Sequence, residues 1–293
     1  MNEVFDFAKY SRFCLQKPFD FSKNSSIGCG GYATLVFYPN SVAEWIALIE
    51  QLREDGVPYY VLGNLTNVLP PDGASKRVVV STKRVDGIVV GDNVFAYAGV
   101  TSGELLQACK REQRSGVEFL SGIPCTLGGA LYMNAGAGGK YMSDIVENVM
   151  VLRGGKKQIL SLEECEYDYK RSVFMQNEDI ILGATLRTEK STAEEIAKEE
   201  KNYLVKRKYL PKGKSMGCIF KNPEGLYAGE LIERSGLKGL RVGGAKISSE
   251  HANFIINEGN ASSADIKALV ALVKNAVKAQ YGVCLEEEIR YLE

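Results

Sequence analysis

The chain has 293 residues, of which 45% are hydrophobic, and its 36 basic residues balance its 36 acidic residues. This length favours two compact lobes, and a net charge of zero argues against a general binder of nucleic acid or membrane surfaces. No apolar stretch approaches the roughly 20 residues that cross a bilayer, and the N-terminus lacks the apolar centre of a signal peptide. We therefore expect a cytoplasmic protein that binds neither nucleic acid nor membrane.

The first predicted unit of structure is a β-α-β arrangement over residues 33–63. Ser41 and Glu44 have capping-box spacing, Gly56 is a stop signal, and strand-like runs at 33–39 and 57–63 flank the helix. The predicted buried face of this helix consists of Trp45, Leu48, Ile49 and Leu52.

Further elements follow in order along the chain. Thr101 and Glu104 open a second helix after a strand-like run at 93–99. Later segments are strands at 148–153 and 179–187, a charged helical connector after residue 188, a helix at 227–236, and a last helix, Ser263–Tyr281. That last helix has an apolar stripe formed by Ile266, Leu269, Val270, Val273, Val277 and Tyr281.

Seven cysteines, an odd number, are scattered along the chain without a C-x-x-C pair, which predicts neither a zinc site nor a redox motif. Most are expected to be small buried hydrophobic residues. His251 is the only histidine, so we predict no metal site and a hydrogen-bonded or core role for its ring.

Residues 121–139 are rich in glycine and alanine, which lets the backbone approach a ligand and direct its N–H groups at anionic oxygens. This composition fits a pyrophosphate-binding loop, although ordinary packing or turn chemistry is an equal alternative. The spacing matches neither the P-loop nor the G-x-G-x-x-G pattern.

Two other segments could bind a ligand. Small polar residues follow the predicted strand at 57–63, where either a binding turn or a solvated turn would place them. Residues 201–223 contain seven basic residues and no acid, which suggests an anionic ligand such as a nucleotide diphosphate; a solvated helix face beside a loop is the alternative.

Read together, these segments resemble the UDP-N-acetylenolpyruvoylglucosamine reductase (MurB) family, in its shorter type II branch. The matches run from about residue 25 to the C-terminus in the expected order. They are "SGIPCTLGGALYMNAGA" (121–137), "GNLTN" (63–67), "GCIFKNP" (217–223), "AGELIE" (228–233), "GLKG" (236–239), "HANFIIN" (251–257) and "LEEEIR" (285–290). Cys125 and Leu65 stand where the family patterns have glycine.

The resemblance implies an α+β fold with a PCMH-type FAD-binding domain at residues 1–188 and a smaller α/β substrate-binding lobe at residues 189–293. It implies FAD as cofactor and NADPH as co-substrate. The implied substrate is UDP-N-acetylglucosamine enolpyruvate, which becomes UDP-N-acetylmuramate in peptidoglycan precursor synthesis. Nothing in the sequence demands more than a monomer.

The matched motifs also carry predicted binding residues. The implied cofactor-binding residues are Gly63, Asn64, Thr66, Asn67, Ser121, Gly122, Ile123, Pro124, Thr126, Gly128, Gly129, Asn134, Ala135 and Gly136. The implied substrate-binding residues are Lys214, Lys221 and Asn222.

Cys218 occupies the position at which the family has its proton-donating serine, and Glu288 matches the catalytic glutamate. Hydride addition to the enolpyruvyl methylene leaves electron density on the neighbouring carbon, which requires a proton. A thiol is intrinsically a far stronger acid than an alcohol, so the substitution preserves this role. A thiolate, favoured by nearby basic residues, would lack that proton and oxidise readily.

The catalytic arginine of the family is replaced by Lys170, with Arg171 next to it in "YKRSVF". Lysine keeps the charge but loses the bidentate grip on a carboxylate. On a strand these two side chains would face opposite ways, so Arg171 could substitute only if the backbone bulges. We therefore favour Lys170.

Two other functions are compatible with parts of the sequence. One is a PCMH-fold oxidase of another substrate, against which the matches after residue 210 speak. The other is a non-catalytic FAD- or nucleotide-binding relative, suggested by the departures at Cys218, Lys170 and Leu65 and opposed by the retained Glu288 and "FKNP".

Overall fold

The computed structural model describes residues 9–13, 15–16 and 18–292, and their contacts divide them into two units. Unit 1 consists of the described residues up to Pro18, Leu35–Gly63 and Arg77–Lys206. Unit 2 consists of Phe19–Thr34, Asn64–Lys76 and the described residues from Arg207 on.

The first sheet of unit 1 contains the predicted β-α-β arrangement. Helix Val42–Glu54 begins at Ser41, whose hydroxyl accepts a hydrogen bond from the Glu44 N–H (3.1 Å). Its predicted apolar face is buried, and burial of each large side chain contributes about 1.5–3 kcal/mol to the stability of the fold. Val78–Ser81 pairs in parallel with both flanking strands, so it lies between them. The strand order is Leu15–Gln16, Val36–Phe37, Val78–Ser81, Tyr59–Leu62.

The second sheet of unit 1 is antiparallel and five-stranded, and it includes the runs predicted at 93–99, 148–153 and 179–187. Its order is Lys156–Ser161, Val146–Arg153, Ile180–Arg187, Asn93–Tyr97, Ile88–Val90. Helix Ser102–Arg111 has the predicted capping box between Thr101 and Glu104. The remaining helices of unit 1 are Leu127–Tyr132, Met142–Ile145 and Ala193–Arg207, and its 3-10 turns are Glu118–Leu120, Glu163–Cys165 and Val173–Met175. Two further strand pairs complete the unit: Arg114–Ser115 with Glu189–Lys190, and Gly136–Ala137 with Lys140–Tyr141.

Unit 2 is organised around helix Ser263–Tyr281, whose bounds match the prediction. Its stripe is buried as far as Val277, whereas Tyr281 is exposed. The Asp72 carboxylate accepts hydrogen bonds from Ser263 N (2.6 Å) and Ala264 N (2.9 Å) at the start of this helix. The other helices of unit 2 are Phe21–Asn24 and Ala228–Arg234. Its strands form three small sheets. One consists of Phe19–Asp20, Tyr32–Ala33 and Ala74–Ser75, the second of Val68–Leu69 and Arg290–Tyr291, and the third of Arg241–Val242, Ala245–Ile247 and Ile255–Asn257.

The two units differ from the predicted domains, which divide the chain once, after residue 188. The helix beyond that point buries Tyr203 in the apolar core of unit 1, and Lys110 forms an ion pair with Glu200 (2.8 Å), so the charged connector through Lys206 belongs to unit 1. Parallel pairing of Val68–Leu69 with Arg290–Tyr291 assigns an early segment to unit 2. Such pairing between distant parts of the chain leaves no local pattern in the sequence.

Candidate active site

Cys218 differs in exposure from the other described cysteines. Cys29, Cys109, Cys125 and Cys165 are buried, as expected, whereas Cys218 is half-buried and Cys284 is exposed. Burial raises the pKa of Cys109 and of Cys165 to about 12, which makes these thiols unreactive. Cys14 lies outside the described residues. The half-buried thiol of Cys218 is therefore the described cysteine whose exposure fits a reacting group in a site.

The segment that carries Cys218 pairs with two parts of unit 2. Cys218 pairs antiparallel with Phe254, and Ile219 N donates to Asn253 O (2.9 Å). On its other side, Phe220 pairs with Glu287.

That second pairing brings Glu288 next to the segment. Glu288 N donates to Ile219 O (2.8 Å), and Lys221 N donates to Glu286 O (2.8 Å). The predicted acid and the predicted glutamate thus lie on adjacent extended segments, although about 70 positions separate them in the sequence.

The three consecutive glutamates have different surroundings. Glu286 is exposed and forms an ion pair with Lys221 (2.5 Å), and Glu287 forms one with Lys274 (2.7 Å). Glu288 is half-buried. The ammonium group of Lys221, predicted to bind substrate, therefore has a carboxylate partner within unit 2.

The other two predicted substrate-binding residues also make contacts in unit 2. The Asn222 side-chain oxygen accepts a hydrogen bond from Ala228 N (3.0 Å), at the first residue of helix Ala228–Arg234. Lys214 is exposed, pairs with Asn257, and packs its aliphatic chain over Gly28.

The predicted strand-end segment divides between the units, with Gly63 in unit 1 and Asn64, Thr66 and Asn67 in unit 2. Asn67 lies beside Glu288, because its side-chain N–H donates to Glu288 O (3.1 Å) and its own carbonyl accepts from Arg290 N (3.0 Å). No pattern in the sequence predicted this contact.

Leu65 occupies the position of a family glycine and keeps a left-handed backbone, with φ of 51°. Its side chain is buried, and its carbonyl accepts a hydrogen bond from Ser26 N (3.2 Å). The turn therefore retains a conformation that favours glycine, and burial of the leucine side chain offsets the strain.

The glycine-rich segment of unit 1 contains the remaining predicted cofactor residues. Thr126 caps helix Leu127–Tyr132, and a Cβ at Gly63 would overlap the Thr126 hydroxyl, so Gly63 lies against this segment. Gly122 has a φ of 75°, and Gly128 N donates to Ala98 O (2.9 Å). Glycine is thus required at Gly63 by close approach and at Gly122 by conformation.

Five buried polar atoms in unit 1 have no hydrogen-bond partner among the described residues: Trp45 Nε1, Thr82 Oγ1, Glu118 Oε1, Ser121 Oγ and Tyr167 Oη. Of these, Ser121 lies in the glycine-rich segment itself. Buried polar atoms are nearly always satisfied, and an orphan beside a ligand-binding loop is explained when a ligand supplies the partner. Ser121 is one of the predicted cofactor residues, whereas Thr82 and Glu118 are not. Thr82 directly follows strand Val78–Ser81, and Glu118 lies just before the glycine-rich segment. The orphaned Ser121 hydroxyl fits a cofactor with hydrogen-bonding groups at this segment.

Residues 168–171 form a tight turn, so the alternation of side chains that a strand would give Lys170 and Arg171 does not apply. Asp168 and Arg171 exchange two backbone hydrogen bonds of 3.1 Å, and Lys170 is the third residue of the turn, with φ of 53°. A positive φ at that position alone is the type II pattern, where glycine is usual.

The turn is fixed to the glycine-rich segment. The buried Asn134 side chain donates to Asp168 O (2.9 Å) and accepts from Ser143 N (3.0 Å). The Ser172 hydroxyl donates to Tyr132 O (2.6 Å). Asn134, predicted to bind the cofactor, therefore also places the turn.

Lys170 and Arg171 differ in their surroundings. Lys170 is half-buried, whereas Arg171 is exposed. The Arg171 guanidinium donates to the side-chain oxygen of Gln176 from Nη2 (3.0 Å) and Nε (3.2 Å) when the Gln176 amide is oriented with its oxygen towards the arginine. A half-buried cation beside the glycine-rich segment is the better candidate for a ligand contact.

His251 has the hydrogen-bonded role that was predicted. Its Nδ1 accepts a hydrogen bond from Asn253 N (3.3 Å), and its ring meets Phe254 edge-on. Within residues 9–13, 15–16 and 18–292, His, Cys, Asp and Glu side chains form no group of three or more that could hold a metal ion. Likewise, no helix in the described part of the chain is long and apolar enough to cross a membrane.

Comparison with known proteins identifies the family. Residues 208–292 match the UDP-N-acetylenolpyruvoylglucosamine reductase C-terminal domain, and residues 33–160 match an FAD binding domain. The chain is 38% identical over 294 residues to the UDP-N-acetylenolpyruvoylglucosamine reductase of Caldanaerobacter subterraneus subsp. tengcongensis, which covers 99% of this chain and 97% of that relative. The chain belongs to the UDP-N-acetylenolpyruvoylglucosamine reductase family.

Other relatives agree. The enzyme of the same name from Geobacter metallireducens is 40% identical over 273 residues, covering 92% of this chain and 91% of the relative. The crystal structure of MurB from Thermus caldophilus superposes with a TM-score of 0.83 at 33% identity, covering 96% of this chain and all of that one (100%). The predicted family, its FAD-binding α+β fold and its class of oxidoreductase are thereby confirmed.

Proposed function

We propose that this reductase converts UDP-N-acetylglucosamine enolpyruvate to UDP-N-acetylmuramate with NADPH, in peptidoglycan precursor synthesis. Within this proposal, Cys218 is the proton donor and a cytoplasmic location is expected. The observation that supports it most is the pairing of residues 219–221 with residues 286–288 in unit 2, which places the segment bearing a half-buried thiol beside the one bearing a half-buried carboxylate.

Cys218 supplies the hydrogen that completes reduction of the double bond. After hydride adds to the methylene carbon, the neighbouring carbon carries an electron pair shared with its carboxylate. The S–H bond of Cys218 breaks as a C–H bond forms at that carbon, and the sulfur keeps the electrons as a thiolate. Water must return a proton to the thiolate before the next turnover.

Two charged residues assist this step in the proposal. Glu288 stabilises or helps to protonate the intermediate, and the hydrogen bond from its N–H to Ile219 O fixes its backbone relative to the segment bearing Cys218. Lys170 stabilises the substrate carboxylate as its charge develops; its half-buried position and the fixed turn favour it over Arg171.

The predicted binding residues hold the substrate and the cofactor in this proposal. Lys214, Lys221 and Asn222 contact the UDP-sugar portion, and release of Lys221 from Glu286 accompanies its binding to the pyrophosphate. The cofactor is held by the glycine-rich segment and by Gly63, Asn64, Thr66 and Asn67. The Ser121 hydroxyl, which has no hydrogen-bond partner among the described residues, forms a hydrogen bond with the cofactor. The chemistry that FAD would supply, when held by these residues, is hydride transfer from the nicotinamide to the enolpyruvyl carbon.

The purified chain tests this proposal directly. We expect flavin absorbance, and NADPH oxidation that accelerates when UDP-N-acetylglucosamine enolpyruvate is added but not when UDP-N-acetylglucosamine, which lacks the enolpyruvyl group, is added. NADPH consumption that ignores the enolpyruvyl substrate would refute the proposal.

A further inference from the structure

The segment before Cys218 contains one residue more than the strand it faces. Lys214 pairs with Asn257, and Cys218 pairs with Phe254, so four steps along one segment correspond to three along the other. The two bridges are isolated, and the extra residue between them gives this stretch the two-against-one count of a β-bulge; Gly217, with φ of 78°, is the left-handed residue directly before Cys218. A bulge of this kind turns the following side chain away from the direction that regular alternation would give it.

Glycine is needed at residue 217 for conformation alone. A Cβ built there would meet no heavy atom within 4 Å. Any side chain therefore has room, and only its tolerance of a left-handed backbone decides whether the bulge persists.

Asn253 holds the segment on the other side of Cys218. Its side-chain oxygen accepts from Phe220 N (2.9 Å), its side-chain N–H donates to Phe220 O (2.8 Å), and its carbonyl accepts from Ile219 N. The side chain is buried, with 3% of its surface exposed. Three hydrogen bonds from one residue fix the two positions that follow Cys218.

We propose that Gly217 and Asn253 are positioning residues that together fix the direction of the Cys218 thiol. The bulge sets this direction, and the hydrogen bonds to residues 219 and 220 prevent the segment from relaxing to regular pairing. This inference rests on the proposed function, because it assigns these residues to the delivery of the Cys218 proton.

A pair of substitutions at residue 217 separates conformation from side-chain size. Gly217→Asn adds a side chain that tolerates the left-handed region, and Gly217→Val adds a β-branched one that does not. We expect reoxidation of the reduced flavin by the enolpyruvyl substrate to be slower in Gly217→Val than in Gly217→Asn by on the order of tenfold or more. Reduction of the flavin by NADPH, which does not use Cys218, is expected to be equal in the two proteins.

Thiol labelling gives a second readout that does not depend on turnover. The rate at which iodoacetamide modifies Cys218, measured by peptide mass against the exposed Cys284 as internal standard, is expected to change in Gly217→Val and to remain near that of the wild type in Gly217→Asn. If Gly217→Val does not fold, Gly217→Ala takes its place, since alanine also disfavours the left-handed region.

Asn253→Ala tests the hydrogen bonds that hold residues 219 and 220. We expect it to slow flavin reoxidation by substrate while the rate of flavin reduction by NADPH stays within about twofold. A merely structural role would lower both half-reactions together through loss of folded protein.

The results for the Gly217 and Cys218 variants distinguish failure of the positioning role from failure of the proposed function. Equal reoxidation rates and equal labelling in the valine and asparagine variants, with a wild type that turns over and a slow Cys218→Ala, would overturn the positioning role alone. A wild type that ignores the enolpyruvyl substrate, or an undiminished Cys218→Ala, would overturn the proposed function and this inference with it.

Discussion

The turn at residues 168–171 in unit 1 and the segment at residues 217–220 in unit 2 hold their proposed catalytic residues in a similar way. Each contains a residue with a left-handed backbone, Lys170 in the first and Gly217 in the second. Each is fixed by a buried asparagine, Asn134 in the first and Asn253 in the second.

The difference lies in which residue adopts the left-handed conformation. Gly217 adopts it freely, whereas for Lys170 it costs about 1–2 kcal/mol. Local sequence therefore favours the conformation in unit 2, and hydrogen bonds from Asn134 and Ser172 impose it in unit 1. The strain at Lys170 motivates the hypothesis that its side chain has a function at the candidate site.

Cys218→Ala is expected to have the largest effect. Loss of the proton donor should lower kcat by about 10²–10⁴-fold, the usual contribution of a general acid. Cys218→Ser, which restores a donor of the family type, should lose less. Stopped-flow measurement of flavin reduction by NADPH serves as the control, since that step does not involve the thiol. Equal kcat values in wild type and Cys218→Ala would remove Cys218 from the mechanism.

Lys170→Ala should lower kcat by about 10²-fold, because it removes the proposed charge partner of the substrate carboxylate. Arg171→Ala is the matched control, and we expect at most a few-fold loss from this exposed residue. Lys170→Arg restores the family residue and should retain most activity. The assignment reverses if Arg171→Ala loses more than Lys170→Ala.

Asn134→Ala tests the hydrogen bonds that impose the turn. It leaves Ser143 N and Asp168 O without their partner, which should lower the free energy of unfolding by about 1–3 kcal/mol. Asn202→Ala, at an exposed position of the same unit, should change it by less than about 0.5 kcal/mol. Urea denaturation of both variants checks this, and similar values for the two would contradict the role of Asn134.

Lys170→Gly should relieve backbone strain and raise the free energy of unfolding by about 0.5–1 kcal/mol, while lowering kcat. Gln113→Gly is the matched control, because Gln113 is also left-handed, with φ of 52°, and lies in an exposed turn. It should gain similar stability with unchanged kcat. A stable and fully active Lys170→Gly would show that the strain has no function.

The smallest expected effect is a pH dependence in unit 2. Burial lowers the pKa of His251, whose neutral ring accepts a hydrogen bond from Asn253 N. Because the folded state disfavours the protonated ring, its stabilising contribution is present above the ordinary pKa, near 6.5, and is lost as pH falls through the folded value. Unfolding measured from pH 8 to pH 5 should show this loss, and a His251→Asn variant should show less of it.

Sequence alone predicted the features that local chemistry encodes. Capping residues and apolar periodicity placed the helices that begin after Ser41, Thr101 and Ser262, because a helix is specified by residues three or four positions apart. The motifs around Cys218 and Glu288 indicated the family, because both segments are contiguous in the sequence.

Only the tertiary structure decided how these pieces meet. It paired residues 219–221 with residues 286–288, placed Asn67 beside Glu288 and joined Asn134 to Asp168. It also placed Lys170 in a turn that lacks the usual glycine and therefore gave no sequence signal. The physical reason is that pairing between distant segments depends on hydrogen bonds formed only after the chain has folded, and no spacing within either segment records its partner.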